Sequence, residues 1–283
     1  MNPASPPSTQ ILLHRKRDSR FSLTPEALKA AIEMGKNNQS SREILNRLRQ
    51  APVEVELEKW ITEDPAMRKV KDDLRAIKDR DNQSSVLISG PTGTGKEVLA
   101  RALRVFHEDG THEPFIAHNC GGLPSELVTS MFFGHKKGSF TGATENHTGA
   151  FVAAGGGIVF LDELTELPLK LQSMFLRALQ EREVMAIGSN EVIPIRCRFV
   201  AATNQDLGRL VSQGQFRADL YARLRTHELR ITGLSERWDD VSLIAKSLGW
   251  EHPIPEDYHP DIRQENVRAI QRYIERMQTY GHY

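Results

Sequence analysis

The chain has 283 residues, enough for one large α/β domain with smaller attachments. Its 37 basic and 37 acidic residues cancel, which excludes a strongly basic nucleic-acid coat or a chain built for an acidic partner. There is no apolar run that would span a membrane and no signal-peptide pattern. Cys120 and Cys197 make neither a disulfide framework nor a metal-ligand cluster, so a reducing cytoplasmic setting is expected.

Residues 1–20 are rich in Pro and Ser and then basic (His14, Arg15, Lys16, Arg17, Arg20), the pattern of a flexible tail, with contact to nucleic acid left open. Thr24 and Pro25 cap a helix that runs to Met34 and stops at Gly35. Ser40 or Ser41 opens a second, with Ile44, Leu45 and Leu48 on one face. This is a helical pair, with a rudimentary helix-turn-helix as the alternative. An amphipathic stretch follows from Val53 to Ile61, and Asp64-Pro65 starts a helix carrying Met67, Val70, Leu74 and Ile77.

The chain is organised around the next block. The apolar run Val86-Leu87-Ile88 predicts a buried strand, and Ser89-Gly90-Pro91-Thr92-Gly93-Thr94-Gly95-Lys96-Glu97 then opens a helix through Leu103. Strand, glycine turn and helix start are the context that gives a Walker A pattern its meaning. The glycines let backbone N–H groups wrap a phosphate, the helix N-terminus favours the anion, and Lys96 reaches the β- and γ-phosphates. Glu97 stands where a strict pattern has Ser or Thr on Mg²⁺.

Pro114 to Cys120 reads as a strand with a polar tip at Asn119, and a helix begins near Ser125. Gly138-Ser139-Phe140-Thr141-Gly142-Ala143 does not suit a helix and predicts a protruding loop with an aromatic tip. Ile158-Val159-Phe160-Leu161 predicts a central parallel strand that delivers Asp162 and Glu163 to its C-terminal end, where open α/β sheets bind ligands. There Asp162 organises Mg²⁺, directly or through water, and Glu163 orients and deprotonates the attacking water. Pro168 to Val184 reads as an amphipathic helix, and Phe199 to Ala202 as a strand ending at Thr203-Asn204, with the Asn204 amide placed to sense a γ-phosphate. Arg217 and Arg223 follow; arginine suits bidentate phosphate contacts, and surface ion pairing is the alternative.

Taken together, residues 61 to 243 resemble the AAA+ ATPase domain of bacterial enhancer-binding proteins, the activators of sigma-54 RNA polymerase. That family commonly has glutamate after the Walker lysine, as at Glu97, and Gly138–Ala143 matches its signature GAFTGA loop with Ser139 in place of alanine. The resemblance implies a P-loop α/β/α sandwich with a parallel central sheet, a short helical C-terminal lid and N-terminal helices. It implies ATP and Mg²⁺, with Asp162 and Glu163 as the Walker B pair and Asn204 as the first sensor. Asn119 would hold the catalytic glutamate in an inactive pose. Arg217 and Arg223 would reach the ATP of a neighbour in a ring, expected to be a hexamer, a contact worth about 10³–10⁵ in rate. The loop would engage the sigma-54 holoenzyme.

The departures are also specific. Ser235 and Ala186 stand where the family tends to have arginine, and the lid is shortened, with Asn266-Val267-Arg268-Ala269-Ile270 as a remnant of its second-sensor motif. Arg268 is then either that sensor or part of a terminal helix whose face is Val267, Ile270 and Ile274. About 60 mostly polar residues ahead of the ATPase block are too few for a receiver domain, and no C-terminal helix-turn-helix is recognisable. The expected organisation is a tail over 1–20, a helical region over 21–60, an ATPase core over 61–240 and a lid over 241–283. The reading is an ATP-driven activator of sigma-54 polymerase; the alternatives are an ATPase remodelling another protein or DNA complex, and an ATP-binding scaffold with weak turnover.

Overall fold

The computed structural model describes residues 56–80, 84–104 and 112–280. The chain divides into two units, and all described residues belong to the one formed by 51–106 and 112–283. The tail over 1–20 and the helices expected between Thr24 and Gln50 lie outside the described residues.

Five parallel strands form the central sheet in the order β2-β5-β8-β1-β9, where β1 is Val86–Ser89, β2 Phe115–Asn119, β5 Ile158–Asp162, β8 Arg198–Thr203 and β9 His227–Arg230. The inner strands β1, β5 and β8 are mainly apolar and buried because both faces are covered, while the edge strands β2 and β9 carry polar residues. Leu87, Val159, Leu161, Phe199 and Ala201 point into one core, while Val86, Ile88, Ile158, Phe160, Val200 and Ala202 point into the other. That alternation is the two-residue period of a strand placed between two helical layers.

The layer against Val86 and Ile88 is built by helix α1 (Pro65–Arg80) and helix α2 (Lys96–Ala102). Asp64 starts α1 as expected: its carboxylate accepts from the Met67 N–H at 2.9 Å. Met67, Val70, Leu74 and Ile77 then form one buried stripe. Ahead of it only 56–58 are helical among the described residues of the expected 53–61 stretch, and Leu57 and Trp60 are buried.

The opposite layer carries α3 (Ser125–Phe133), the short α4 (Ala150–Ala153), α5 (Leu169–Glu181), α6 (Leu207–Ser212) and α7 (Ala218–Leu224). Phe132, Phe133, Phe151 and Phe175 pack edge-on or tilted at 4.9–5.5 Å between centroids, and Phe151 meets Phe199 of β8 at 4.9 Å. Helix α5 stops three residues before the expected Val184. Arg182 takes the left-handed conformation (φ 58°), its guanidinium donates to the Cys197 carbonyl at 2.8 Å, and residues 183–185 leave as strand β6. Strand β6 (Glu183–Met185) pairs antiparallel with β7 (Val192–Pro194), a hairpin that the sequence reading did not anticipate. A second small pair, β3 (Gly134–His135) with β4 (His147–Thr148), closes the base of the loop at 138–143.

Helices α8 (Asp239–Ser247), α9 (His259–Glu265) and α10 (Val267–Tyr280) form a third core around Leu234, Val241, Ile244, Tyr258, Ile262 and Ile270. Among the described residues no helix is long and apolar enough to cross a membrane.

Candidate active site

Strand register assembles the site. Asn119 of β2 lies beside Asp162 of β5, Leu161 beside Ala201 of β8, and Ser89 of β1 beside Thr203 of β8. The C-terminal ends of four adjacent strands therefore bring Asn119, Asp162, Asn204 and the P-loop to one sheet edge, the position where open α/β sheets hold ligands.

Gly95 turns the chain into α2 with a left-handed backbone (φ 88°), and Lys96 is the first helical residue. The Lys96 ammonium folds back and donates to the carbonyls of Gly90 at 2.8 Å and Pro91 at 3.0 Å. The Thr94 hydroxyl donates to the Pro91 carbonyl at 2.8 Å, which holds the turn closed. Burial lowers the Lys96 pKa, the Arg268 charge lowers it further, and Asp162 and Glu163 pull the other way. An anion bound here would restore the stability of the charged lysine.

Beyond Asp162 the backbone is bent unusually. Glu163 sits in the left-handed region (φ 52°, ψ 43°), and its N–H donates to the Asp162 carboxylate at 3.0 Å. Such a conformation costs a non-glycine residue about 1–3 kcal/mol and turns its side chain out of the path that a continuing strand would give it. The Glu163 carboxylate lies against Gly121: a Cβ there would come within 2.6 Å of Oε2, and within 3.1 Å of Asn119 Oδ1. The Asn119 Oδ1 also accepts from the Gly121 N–H at 2.6 Å. Asn119 and Glu163 thus flank one glycine. Next to them, burial and then the Asp162 and Glu163 charges push the Cys120 thiol up to about 12, so it stays a neutral packing group.

The junction of α9 and α10 closes the other side. Glu265, Asn266 and Val267 pass directly over the P-loop: the Val267 N–H donates to the Gly93 carbonyl at 3.1 Å, and the Asn266 amide donates to the Thr92 carbonyl at 2.9 Å. Gly93 (φ 76°) has to be glycine, since a Cβ would stand 2.0 Å from the Glu265 carbonyl oxygen. Arg268, one residue into the following turn, shares with Lys96, Asn119, Asp162, Glu163 and Asn204 the wall of a cavity of about 400 Å³. Sequence reasoning left Arg268 undecided; its charge acts directly on Lys96. A larger neighbouring cavity of about 520 Å³ shares Asn204 but has none of Lys96, Asp162 or Glu163 in its lining.

Arg217 and Arg223 do not line the cavity with Lys96. Arg217 stands just ahead of α7, without a side-chain bond to the helix end, and forms a bidentate pair with Asp219 at 3.0 and 2.7 Å, while Arg223 is exposed on the last turn of the same helix.

The loop at 138–143 is closed on itself by the Gly138 N–H to Ala143 carbonyl bond at 2.8 Å. Thr141 and Gly142 are exposed, but the Phe140 ring is half-buried edge-on against His135 at 4.9 Å, so the aromatic tip is folded back. The loop also leans on the β6–β7 hairpin, where Lys136 N–H donates to the Ile187 carbonyl at 2.9 Å and Ser139 packs on Gly188.

Residues 60–230 match the sigma-54 interaction domain family. The chain belongs to this family. Relatives include the response regulator protein PilR of Pseudomonas aeruginosa, 41% identical over 81% of this chain and 53% of that protein. The transcriptional regulatory protein GlrR of Escherichia coli is 42% identical over 77% of this chain and 49% of its own length. The chain therefore spans about half the length of these relatives. Among solved structures, NtrX from Brucella abortus in complex with ATP superposes with a TM-score of 0.65 over 90% of this chain and 61% of its own. At 24% identity that likeness establishes the fold. Membership of the sigma-54 interaction domain family implies the use of ATP with Mg²⁺.

Proposed function

We propose that the chain is a cytoplasmic ATP-hydrolysing module that remodels the sigma-54 RNA polymerase holoenzyme to start transcription, working as a ring of copies, a hexamer by family resemblance. The observation that carries this reading is the shared cavity wall of Lys96, Asn119, Asp162, Glu163, Asn204 and Arg268. In it the P-loop N–H groups and Lys96 bind the phosphates, Glu163 takes a proton from the attacking water, and Asn119 orients Glu163. Asn204 and Arg268 face the terminal phosphate. Gly90, Pro91, Thr92, Gly93, Thr94, Gly95 and Glu97 shape the phosphate cradle.

Among the described residues there is no cluster of three or more acidic, His or Cys side chains to form a protein-only metal cage. One carboxylate at Asp162 beside a phosphate site suits Mg²⁺, which keeps waters and takes few protein ligands. When bound, Mg²⁺ neutralises phosphate charge. Arg217 and Arg223 stand outside their own cavity, which favours a role at the site of an adjoining copy. The loop Gly138, Ser139, Phe140, Thr141, Gly142 and Ala143 is the contact with sigma-54.

The test is co-migration of the purified chain with sigma-54, with and without ADP plus aluminium fluoride. A complex that forms only with the phosphate mimic supports the reading. If the chain binds the nucleotide and no complex forms, its target is another protein or a DNA complex.

A further inference from the structure

Thr92 is held from two directions. Its hydroxyl accepts a hydrogen bond from the Asn204 side-chain amide at 3.0 Å, across 112 residues of sequence. Its main-chain carbonyl accepts from the Asn266 side-chain amide at 2.9 Å, across 174. Asn204 belongs to the end of β8 and Asn266 to the junction between α9 and α10, so one P-loop residue joins that strand end to the C-terminal helices.

Asn266 is fixed for this contact. It is 1% exposed, its backbone has a positive φ (54°, with ψ −126°), and its Oδ1 accepts from the Leu234 N–H at 2.6 Å. With the oxygen engaged at Leu234, the nitrogen is turned to Thr92. The Val267 N–H on the Gly93 carbonyl secures the same crossing.

We propose that Thr92 is a positioning residue: on the cavity wall it shares with Asn204, its hydroxyl engages the Asn204 amide N–H that would otherwise serve the terminal phosphate, and the C-terminal helices, through Asn266, set where that hydroxyl stands. This rests on the reading that the cavity binds ATP and that Asn204 faces its terminal phosphate. A phosphate oxygen is charged and a better acceptor than a neutral hydroxyl, so ATP draws Asn204 from Thr92 and ADP does not. The Asn204–Thr92 bond therefore weakens ATP binding by the worth of one neutral hydrogen bond and leaves ADP binding alone. The site gains a means of separating the two nucleotides that depends on the position of the C-terminal helices.

The experiment measures ATP and ADP binding by titration calorimetry with Mg²⁺, on the full chain carrying Glu163→Gln so that ATP persists. Thr92→Val removes the hydroxyl and keeps the branched shape; the ratio of ATP to ADP affinity should rise about two- to tenfold. Thr92→Ser should return the ratio to its starting value. With Asn204→Ala, Thr92→Val should leave the ratio unmoved, since no amide is engaged. Asn266→Asp keeps the acceptor for Leu234 and turns a carboxylate oxygen on the Thr92 carbonyl; it should move the ratio in the Thr92 parent and not in Thr92→Val. Equal loss of both nucleotides in Thr92→Val, with no change in ratio, would reduce Thr92 to a part of the loop's framework and overturn the proposal. So would a ratio change that survives Asn204→Ala, or an Asn266→Asp effect independent of the hydroxyl. Absence of nucleotide binding in the parent would instead overturn the reading of the cavity itself.

Discussion

Trp60 donates its indole N–H to the carbonyl of Thr94 at 2.8 Å, which fastens the segment ahead of the core to the P-loop. Its ring also lies against Gly95, where a Cβ would stand 2.8 Å from Cδ1. A residue before the first strand thus fixes the turn that shapes the phosphate site. Trp60→Phe keeps most of the packing and removes the donor, which leaves a buried carbonyl without it. The expected loss is about 1–3 kcal/mol in chemical denaturation. Trp60→Ala adds a cavity and should cost about 3–5 kcal/mol. Equal stability of the Phe variant and the parent would mean that the hydrogen bond contributes nothing.

The same segment is hydrogen-bonded to the carboxylate of a buried ion pair, Arg237–Asp240, at the start of the C-terminal helices. Asp240 accepts from Arg237 at 2.7 Å, from the Thr62 hydroxyl at 2.6 Å and from the Glu63 N–H at 2.7 Å. Burial pushes the Asp240 carboxyl up, but the bonds from Thr62, Glu63 and Arg237 outweigh it and hold its pKa below the usual carboxylate range. A folded-state pKa below the unfolded one gives stability that is present above the ordinary carboxylate pKa, about 3.9, and is lost as pH falls through the lower, folded value. Asp240→Asn leaves Arg237 buried without its counter-ion, at a cost of about 3–5 kcal/mol at neutral pH. The variant should also show a shallower loss of stability on acidification. Parallel pH profiles for variant and parent would assign acid sensitivity to other carboxylates.

Much of this was legible in the sequence because the central strands are buried on both faces. Val86-Leu87-Ile88, Ile158–Leu161 and Phe199–Ala202 are continuous apolar runs, and a polar residue at the end of each has to emerge at the sheet edge. That is why Asp162, Glu163 and Asn204 could be expected at the sheet edge that carries the Lys96 loop, with the family resemblance supplying their joint roles and the strand order β5-β8-β1 bringing them together. Arg268 could not. Val267, Ile270 and Ile274 fit an ordinary amphipathic helix equally well, and the proximity of Arg268 to Lys96 depends on the turn at Asn266, a positive-φ residue without a glycine to announce it. The β6–β7 hairpin was hidden for another reason. Its strands are three residues each, too short for alternation to register, and Glu183-Val184 continues the helical pattern of α5.

That hairpin makes a prediction about the loop. Gly188 has φ 74°, and a Cβ on it would approach the Ser139 Cβ to 2.6 Å. Gly188→Ala therefore strains its own backbone by about 1–2 kcal/mol and displaces Ser139. Sigma-54 capture in the presence of ADP and aluminium fluoride should fall while ATP turnover persists. Adding Ser139→Gly removes the opposing Cβ and should recover part of the capture. Undiminished capture by Gly188→Ala would show that the hairpin does not support the loop.

Arg268 and Lys96 are two cations on one cavity wall, and their separation of roles is testable through pH. Burial first, and then Arg268, lowers the Lys96 pKa. Lys96 therefore loses its proton at lower pH than an ordinary lysine, and ATP affinity should decline early on the alkaline side. Arg268→Gln acts twice. It removes a charged donor from the wall of the proposed nucleotide cavity, which should weaken ATP binding about tenfold to a hundredfold near neutral pH if that donor meets the phosphates. It also removes a positive neighbour, so the Lys96 pKa rises and the alkaline decline should move to higher pH. Weaker binding with an unmoved alkaline limb would mean that Arg268 reaches the nucleotide but not the lysine. A moved limb with unchanged neutral affinity would mean the reverse, with Arg268 acting on the P-loop cation alone.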